Sequence, residues 1–182
     1  MKKSSKKFNI TKLEVLATSL KKLDDGKYKI QVGIFGNKDL RKDSKGKGPT
    51  NAEIGFVHEM GSVSRHIPRR SFLLDTFTNH QAELNAGLKP LADALFKEGK
   101  VDLFLDKAGQ AAVLLVQTAF FTSGWGSWAP NAYSTLMAKL KGSLLRRKQQ
   151  AAEVMFEGAT HAMPLISTGQ LWQSIAARAV KS

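Results

Sequence analysis

The chain has 182 residues, of which 42% are hydrophobic and 8% aromatic. These values predict one folded domain and exclude wholesale disorder, and the absence of cysteine excludes disulfides, thiolate metal sites and a cysteine nucleophile. The formal net charge of +13 is the unusual property.

The positive charge is concentrated near the N-terminus, since residues 1–50 contain 14 Lys and Arg against 5 Asp and Glu. A polyanionic partner, either nucleic acid or an acidic protein surface, would explain this bias, and so would a solvated tail that keeps the protein soluble. No apolar run approaches the ~20 residues of a membrane-spanning helix, and the basic N-terminus lacks the apolar core of a signal peptide. We therefore expect a soluble protein made in the cytoplasm.

The first predicted elements are an arm, a helix, a strand and a loop. Residues 1–10 predict a flexible basic arm, and a capping box of Thr11 and Glu14 then starts a helix. Strict alternation over residues 28–34 predicts a half-buried strand. Residues 37–49 are polar and contain glycine, which predicts a mobile loop. This loop carries the candidate partner contacts Lys38, Arg41, Lys42, Lys45 and Lys47.

A second capping box, Thr50 and Glu53, predicts a short helix that ends at Gly61. Residues 62–67 predict a short strand or a turn. From Ser71 an apolar periodic stretch predicts a long helix.

The long helix contains a proline, and one further helix follows it. Pro90 is expected to kink or split the long helix, because proline lacks a backbone donor. Residues 101–121 predict a central helix. Its expected core face consists of Leu103, Phe104, Ala108, Ala111, Leu115, Ala119 and Phe120.

Residues 122–133 predict a rigid aromatic loop. Its tryptophans, Trp125 and Trp128, could stack the bases of a single strand, although such residues more often fill a core or anchor a subunit contact. Ser134 or Thr135 is expected to cap a further helix, which reaches the basic residues Arg146, Arg147 and Lys148.

The C-terminal segment predicts a turn, a short helix and a closing strand. The turn is expected at residues 168–171 and the strand at residues 175–180. With about five helices and two to four strands outside any βαβ alternation, the sequence predicts an α+β fold with a small antiparallel sheet, as a single domain over residues 11–182.

No pattern in the sequence predicts an active site. None of the four histidines has metal-ligand spacing, and no nucleophile elbow or carboxylate pair is present. His58 is interpreted as a hydrogen-bonded packing residue. We expect no enzyme, no metal and no cofactor, and a hydrolase with an unrecognised triad is the weakest alternative.

Two stretches carry a pattern in a fixed order. Residues 51–74 read NAEIGFVHEMGSVSRHIPRRSFLL and residues 164–175 read PLISTGQLWQSI. Together they resemble the phage virion-morphogenesis and tail-completion family of neck proteins. The matching residues are His58, Glu59, Gly61, Ile67, Pro68, Arg70, Phe72, Pro164, Leu165, Ile166, Thr168, Gly169, Leu171, Ser174 and Ile175.

The sequence departs from the family pattern at three places. Met60 stands where an aromatic residue is usual, and Arg69 and Ser71 replace a small residue and a proline. Residues 142–163 are longer than the usual link, which indicates a helical insertion.

The motif residues have predicted structural roles. Gly61 ends a helix, Pro68 fixes the start of the next one and Ser71 caps it. Arg70 offers a planar fork that could hold a carboxylate, for which Glu59 is the candidate.

The resemblance implies a structural virion protein of the neck or tail end, assembled in the host cytoplasm. Family members form a ring, often hexameric, that completes the tail and offers a surface to the head connector. The implied partners are copies of this chain, tail tube or terminator proteins and head-connector proteins. Passing DNA is a further contact if residues 146–148 line the ring, and a basic nucleic-acid-binding module is the alternative function.

Overall fold

The computed structural model describes residues 28–41, 48–98, 100–139 and 163–181, together with the helical residues Glu14, Ala17, Thr18 and Lys21. Several predictions made from the sequence lie outside these residues. They are the arm at residues 1–10, the capping residue Thr11, nearly all of the insertion at residues 142–163, and the candidate contacts Lys42, Lys45, Lys47, Arg146 and Arg147.

The sheet consists of two antiparallel strands from opposite ends of the described chain. Strand β1 is Tyr28–Ile34 and strand β2 is Ile175–Lys181. Tyr28 pairs with Lys181, and Ile34 pairs with Ile175. Strand β1 lies where the alternating pattern predicts it, because that pattern gives the strand one face for the core. Strand β2 covers the closing strand predicted at residues 175–180.

The helices whose bounds the structure describes lie between the two strands in the chain, and helical residues also precede β1. This mixture of helices and one antiparallel sheet confirms the predicted α+β class. In chain order the helices are α1 (Gly36–Asp39), α2 (Asn51–Met60), α3 (Leu74–Asn79), α4 (Gln81–Glu98), α5 (Val101–Phe121), α6 (residues 133–139) and α7 (Gln170–Ser174).

Helix α5 is the central helix, as predicted, but its buried face is rotated from the predicted one. Val101, Leu105 and Val116 are buried, whereas Leu103 is 44% exposed. The sheet decides this orientation, because strand β2 approaches α5 at Gly109. A Cβ atom on Gly109 would lie 3.0 Å from the Cβ of Ala177.

The main core lies between α5, the aromatic loop and the C-terminal segment. Its aromatic centre is Phe120, whose ring centroid lies 5.0 Å from that of Phe72 and 5.8 Å from that of Trp128. The buried members of this cluster are Phe72, Val116, Ala119, Phe120, Trp128, Ile166, Leu171 and Ile175.

The predicted long helix from Ser71 is interrupted at His80 and continues through Pro90. His80 ends α3 with a non-helical backbone, whereas α4 is continuous across Pro90. Pro90 and Ala86, one turn before it, are both exposed. Pro90 cannot donate to the carbonyl of Ala86, and the helix tolerates this loss at an exposed position.

The predicted loop at residues 37–49 begins with an ordered turn, which corrects the expectation of a mobile segment at this end. Helix α1 is held against the start of α2 by two hydrogen bonds. The amide of Ala52 donates to Asp39 Oδ1 over 2.6 Å, and the side-chain amide of Asn51 donates to the Lys38 carbonyl over 2.9 Å. A carboxylate at a helix N-terminus is favourable because free N–H groups point outward there.

Candidate functional site: the α2–α3 junction and its cavity

Helix α2 is capped by the predicted residues, Thr50 and Glu53 at its N-terminus and Gly61 at its C-terminus. The Thr50 hydroxyl accepts from the Glu53 amide over 3.2 Å, and the Thr50 amide donates to Glu53 Oε2 over 2.8 Å. Gly61 ends the helix with φ 74° and ψ 173°. A Cβ atom there would lie 2.9 Å from the backbone nitrogen of Arg69, so only glycine fits where the chain crosses itself.

A tight hairpin returns the chain to α2 and places Arg70 beside it. The backbone groups of Ser62 and Ile67 exchange hydrogen bonds of 2.8 and 2.9 Å, which confirms the predicted strand or turn. The amide of Arg70 then donates to the carbonyl of His58 over 2.7 Å. Arg70 is thereby fixed to the last turn of α2, while Ile67, on the other side of Pro68, is fixed to Ser62 just beyond the helix.

The carboxylate of Glu59 is buried and holds the start of α3. It accepts hydrogen bonds from the amides of Phe72, Leu73 and Leu74 over 2.9, 3.0 and 2.8 Å. It also accepts from the Ser71 hydroxyl over 2.5 Å. Four donors on one buried carboxylate are charge-assisted contacts, which are the strong kind in a low-dielectric interior.

Arg70 does not pair with Glu59, so the hypothesis of an ion pair between them is wrong. The Arg70 guanidinium donates to the carbonyls of Ala129 and Pro130 over 3.0 and 2.9 Å. The amides at the start of α3 already fill the carboxylate, and the arginine side chain points to the aromatic loop instead. Ser71 does cap the helix as predicted, because its hydroxyl accepts from the Asp75 amide over 2.9 Å.

Trp128 is a core residue and not a partner contact, which corrects its place among the candidate contacts. Its side chain is 8% exposed, and its indole N–H donates to the Ser71 carbonyl over 3.3 Å. Its ring covers Gly124, where a Cβ atom would lie 2.3 Å from the indole.

Trp125 is half-buried and stacks on the ring of His80, with centroids 3.6 Å apart. His80 Nδ1 in turn lies 3.0 Å from Glu83 Oε1. The hydrogen bond to His80 is the main cause that lowers the pKa of Glu83. The two tryptophans therefore do not form a paired base-stacking platform.

The second motif packs against the first. Gly169, with φ 75°, starts α7 as predicted and directs Leu171 into the core. A Cβ atom on Gly55 would lie 3.3 Å from Phe72 and 3.6 Å from Leu171. The two stretches that carry the family resemblance thus meet at one point. Pro164 is also buried, whereas Leu165 is half-buried and Thr168 exposed.

A cavity of about 450 Å³ lies between the two motifs. Its cationic lining comprises Arg41, which donates to Asn51 Oδ1 over 3.1 Å, together with Arg70 and Lys139. The ammonium of Lys139 donates to the carbonyls of Met163 and Ile166 over 2.7 and 2.6 Å. Sequence reasoning missed Lys139, because nothing local separates it from the other basic residues.

His58 also lines this cavity. The prediction that it is a hydrogen-bonded packing residue is wrong for one of its ring nitrogens. The residue is half-buried, and its Nδ1 atom is buried without a hydrogen-bond partner in the part of the chain that the structure describes. Burial, and then the charge of Arg70, lower the pKa of His58. The same two causes, in the same order, lower the pKa of Lys139. The cavity therefore disfavours further positive charge.

No protein-family model, curated protein or solved structure matches this chain. The resemblance to neck proteins therefore depends on the motif residues themselves. Within the described ranges, no cluster of His, Asp and Glu could hold a metal ion. Of the helices in those ranges, none is both long and apolar enough to cross a membrane.

Of the predicted partner contacts in the basic loop, Lys38 and Arg41 are described. Lys38 is exposed, whereas Arg41 is half-buried and lines the cavity. The structure brings Arg41, His58 and Arg70 together at this cavity and leaves Lys38 on the surface.

Proposed function

We propose that this chain is a structural subunit of a phage neck or tail end, which forms a homo-oligomeric ring that completes the tail and joins it to the head connector. The meeting of the two motifs around Gly55 carries the proposal. One structural junction contains the motif residues Glu59, Gly61, Arg70 and Leu171. This is expected if the motif residues stabilise the fold and do not catalyse a reaction.

Two exposed apolar patches support assembly into a ring. The α2 patch consists of Phe56, Met60 and Val63, of which Val63 is 95% exposed. The α5 patch consists of Leu114 and Phe121, which lie seven residues apart on one helix face. A closed ring is built from a heterologous contact, in which two different patches of each subunit meet on neighbouring copies. Large exposed apolar residues are typical of such contacts.

The unpaired strand edges of the sheet are a further surface at which copies of the chain could associate. Among the described residues, each of β1 and β2 has one strand neighbour, so each keeps one unpaired edge. Unpaired strand edges present backbone donors and acceptors to another chain.

The oligomeric state of the purified full chain tests the proposal. Light scattering with negative-stain images should show closed rings, and Val63→Asp and Leu114→Asp should each abolish them. A mixture of the two variants should form a heterodimer, because one intact patch of each kind remains and growth then stops. The exposed substitution Lys107→Gln is the control. Rings that survive both Asp substitutions would contradict the two-patch arrangement.

The alternative, a nucleic-acid-binding module, is supported by the net charge of +13. It predicts a monomer that binds duplex or single-stranded DNA with an affinity that falls steeply with salt. A monomeric protein with that salt dependence would replace the neck proposal.

A further inference from the structure

Two cationic groups of the cavity at the α2–α3 junction, Arg70 and Lys139, have no carboxylate partner among the residues that the structure describes. Arg70 and Lys139 donate to four backbone carbonyls in the described part of the chain. No Asp or Glu of the described residues lines the cavity. Carbonyl oxygens orient a cation but leave its formal charge uncompensated, and buried charges are normally paired.

Unused donors remain on these groups. A guanidinium has five N–H donors and Arg70 uses two, while an ammonium has three and Lys139 uses two. His58 Nδ1 adds a buried nitrogen without a partner. A buried polar atom of this kind normally has a partner, and here it belongs to the same cavity as the two cations.

The rest of the cavity wall is mixed. Its apolar part includes Ile54, Ile67 and Leu171, and its polar part includes Thr135 and Ser167. An occupant with an anionic end and an adjoining apolar group would match both the cations and the apolar part of the wall. The volume of about 450 Å³ lies in the range of small-ligand sites.

We propose that this cavity binds a carboxylate with an adjoining apolar group, held by Arg70, Lys139 and His58. The planar guanidinium fork matches the geometry of a carboxylate. The source is either an acidic side chain beside an apolar residue in a protein segment, or a free small carboxylic acid. The proposal does not depend on ring formation, so it stands or fails separately from the neck function.

The proposal is tested by titrating small probes into the full chain and monitoring the NMR signals of the His58 ring. The probes are the acetylated dipeptide amide Ac-Leu-Glu-NH2, its neutral Gln analogue, 4-methylpentanoate and inorganic phosphate. We expect saturable binding of the carboxylates with a rise in the pKa of His58, and no such response to the Gln analogue. Tighter binding of the dipeptide identifies a protein segment as the source, and tighter binding of 4-methylpentanoate identifies a free acid.

A matched pair of lysine variants locates the binding. Lys139→Gln should weaken binding by about tenfold, the loss expected for one charge-assisted contact, while Lys107→Gln on the exposed face of α5 should leave it unchanged. Because Lys139→Gln can also disturb the fold, the comparison of charged and neutral probes on the unaltered chain decides the question independently. An equal response to the Gln analogue, an equal effect of the two variants, or tighter binding of phosphate than of either carboxylate would overturn the proposal.

Discussion

The carboxylate of Glu59 accepts a 2.5 Å hydrogen bond from the hydroxyl of Ser71, and that hydroxyl in turn accepts from the amide of Asp75. This relay connects the end of α2 to the first turn of α3. It explains why a buried carboxylate is tolerated here, since each acceptor site faces a donor. The same contacts leave Arg70 available to the aromatic loop and the cavity.

Glu59→Gln should destabilise the protein by roughly 2–4 kcal/mol, because the amide nitrogen of Gln faces backbone donors and leaves them unsatisfied. Urea unfolding should show a lower midpoint with an unchanged slope. Asp106→Asn on the exposed surface of α5 is the control and should change the midpoint little. A Glu59→Gln variant as stable as this control would show that the relay contributes no net stability.

Gly61→Ala should cost more stability than Gly126→Ala. Both glycines have positive φ, 74° and 79°, so both substitutions strain the backbone. A new Cβ atom on residue Gly61 would lie 2.9 Å from the backbone nitrogen of Arg69, whereas a Cβ atom on Gly126 would have no neighbour within 4 Å among the described residues. We expect an excess of about 1–3 kcal/mol for Gly61→Ala, measured by urea unfolding. Equal losses would mean that the crossing at Arg69 relaxes freely.

Leu105→Ala should destabilise the protein by roughly 2–5 kcal/mol, as expected for a buried leucine. Leu103→Ala on the exposed side of the same helix should cost less than about 1 kcal/mol. Comparing these two variants tests the orientation of α5, because the apolar pattern of the sequence predicts that Leu103 is in the core, whereas the structure buries Leu105. Thermal unfolding of the two variants gives the comparison, and the reverse ranking would support the orientation predicted from the sequence.

Lowering the pH should destabilise the protein through His58. Burial first, and then the charge of Arg70, lower the pKa of this imidazole from 6.5. The unfolded chain takes up a proton at about pH 6.5 while the folded chain does not, so stability is lost as the pH falls below that value to the folded pKa. The charged or titratable groups that share the cavity with His58 are Arg41, His66, Arg70 and Lys139. His58 also lines a second pocket, beside α2, whose charged groups are Glu53 and Arg65.

The measurement is the free energy of unfolding between about pH 7.5 and 5.5 for the unaltered chain and for His58→Gln. The variant should show a shallower decline, since it lacks the titrating ring. Glu83 acts in a separate, more acidic range, because its pKa is lowered and its contribution is lost only as its carboxylate becomes protonated. Identical slopes for the two proteins would exclude a role for His58.

Elements with local signals could be predicted from the sequence. The alternation of β1, the capping box of α2, the length of α5 and the left-handed turn at Gly169 are all visible within a few residues. Each depends on backbone preferences and side-chain period, which neighbouring residues determine. The α+β class follows from their order.

The partners of the polar and aromatic side chains required the tertiary structure. Arg70 binds carbonyls about sixty positions away, and Trp128 covers Gly124 while donating to Ser71. The rotation of α5 depends on where β2 packs, and the break at His80 coincides with its stacking on Trp125. Such contacts are long-range, and no local preference encodes which distant carbonyl, ring or strand arrives beside a given side chain. The sequence by itself therefore determined the elements and their class, and packing decided which charges share the cavity.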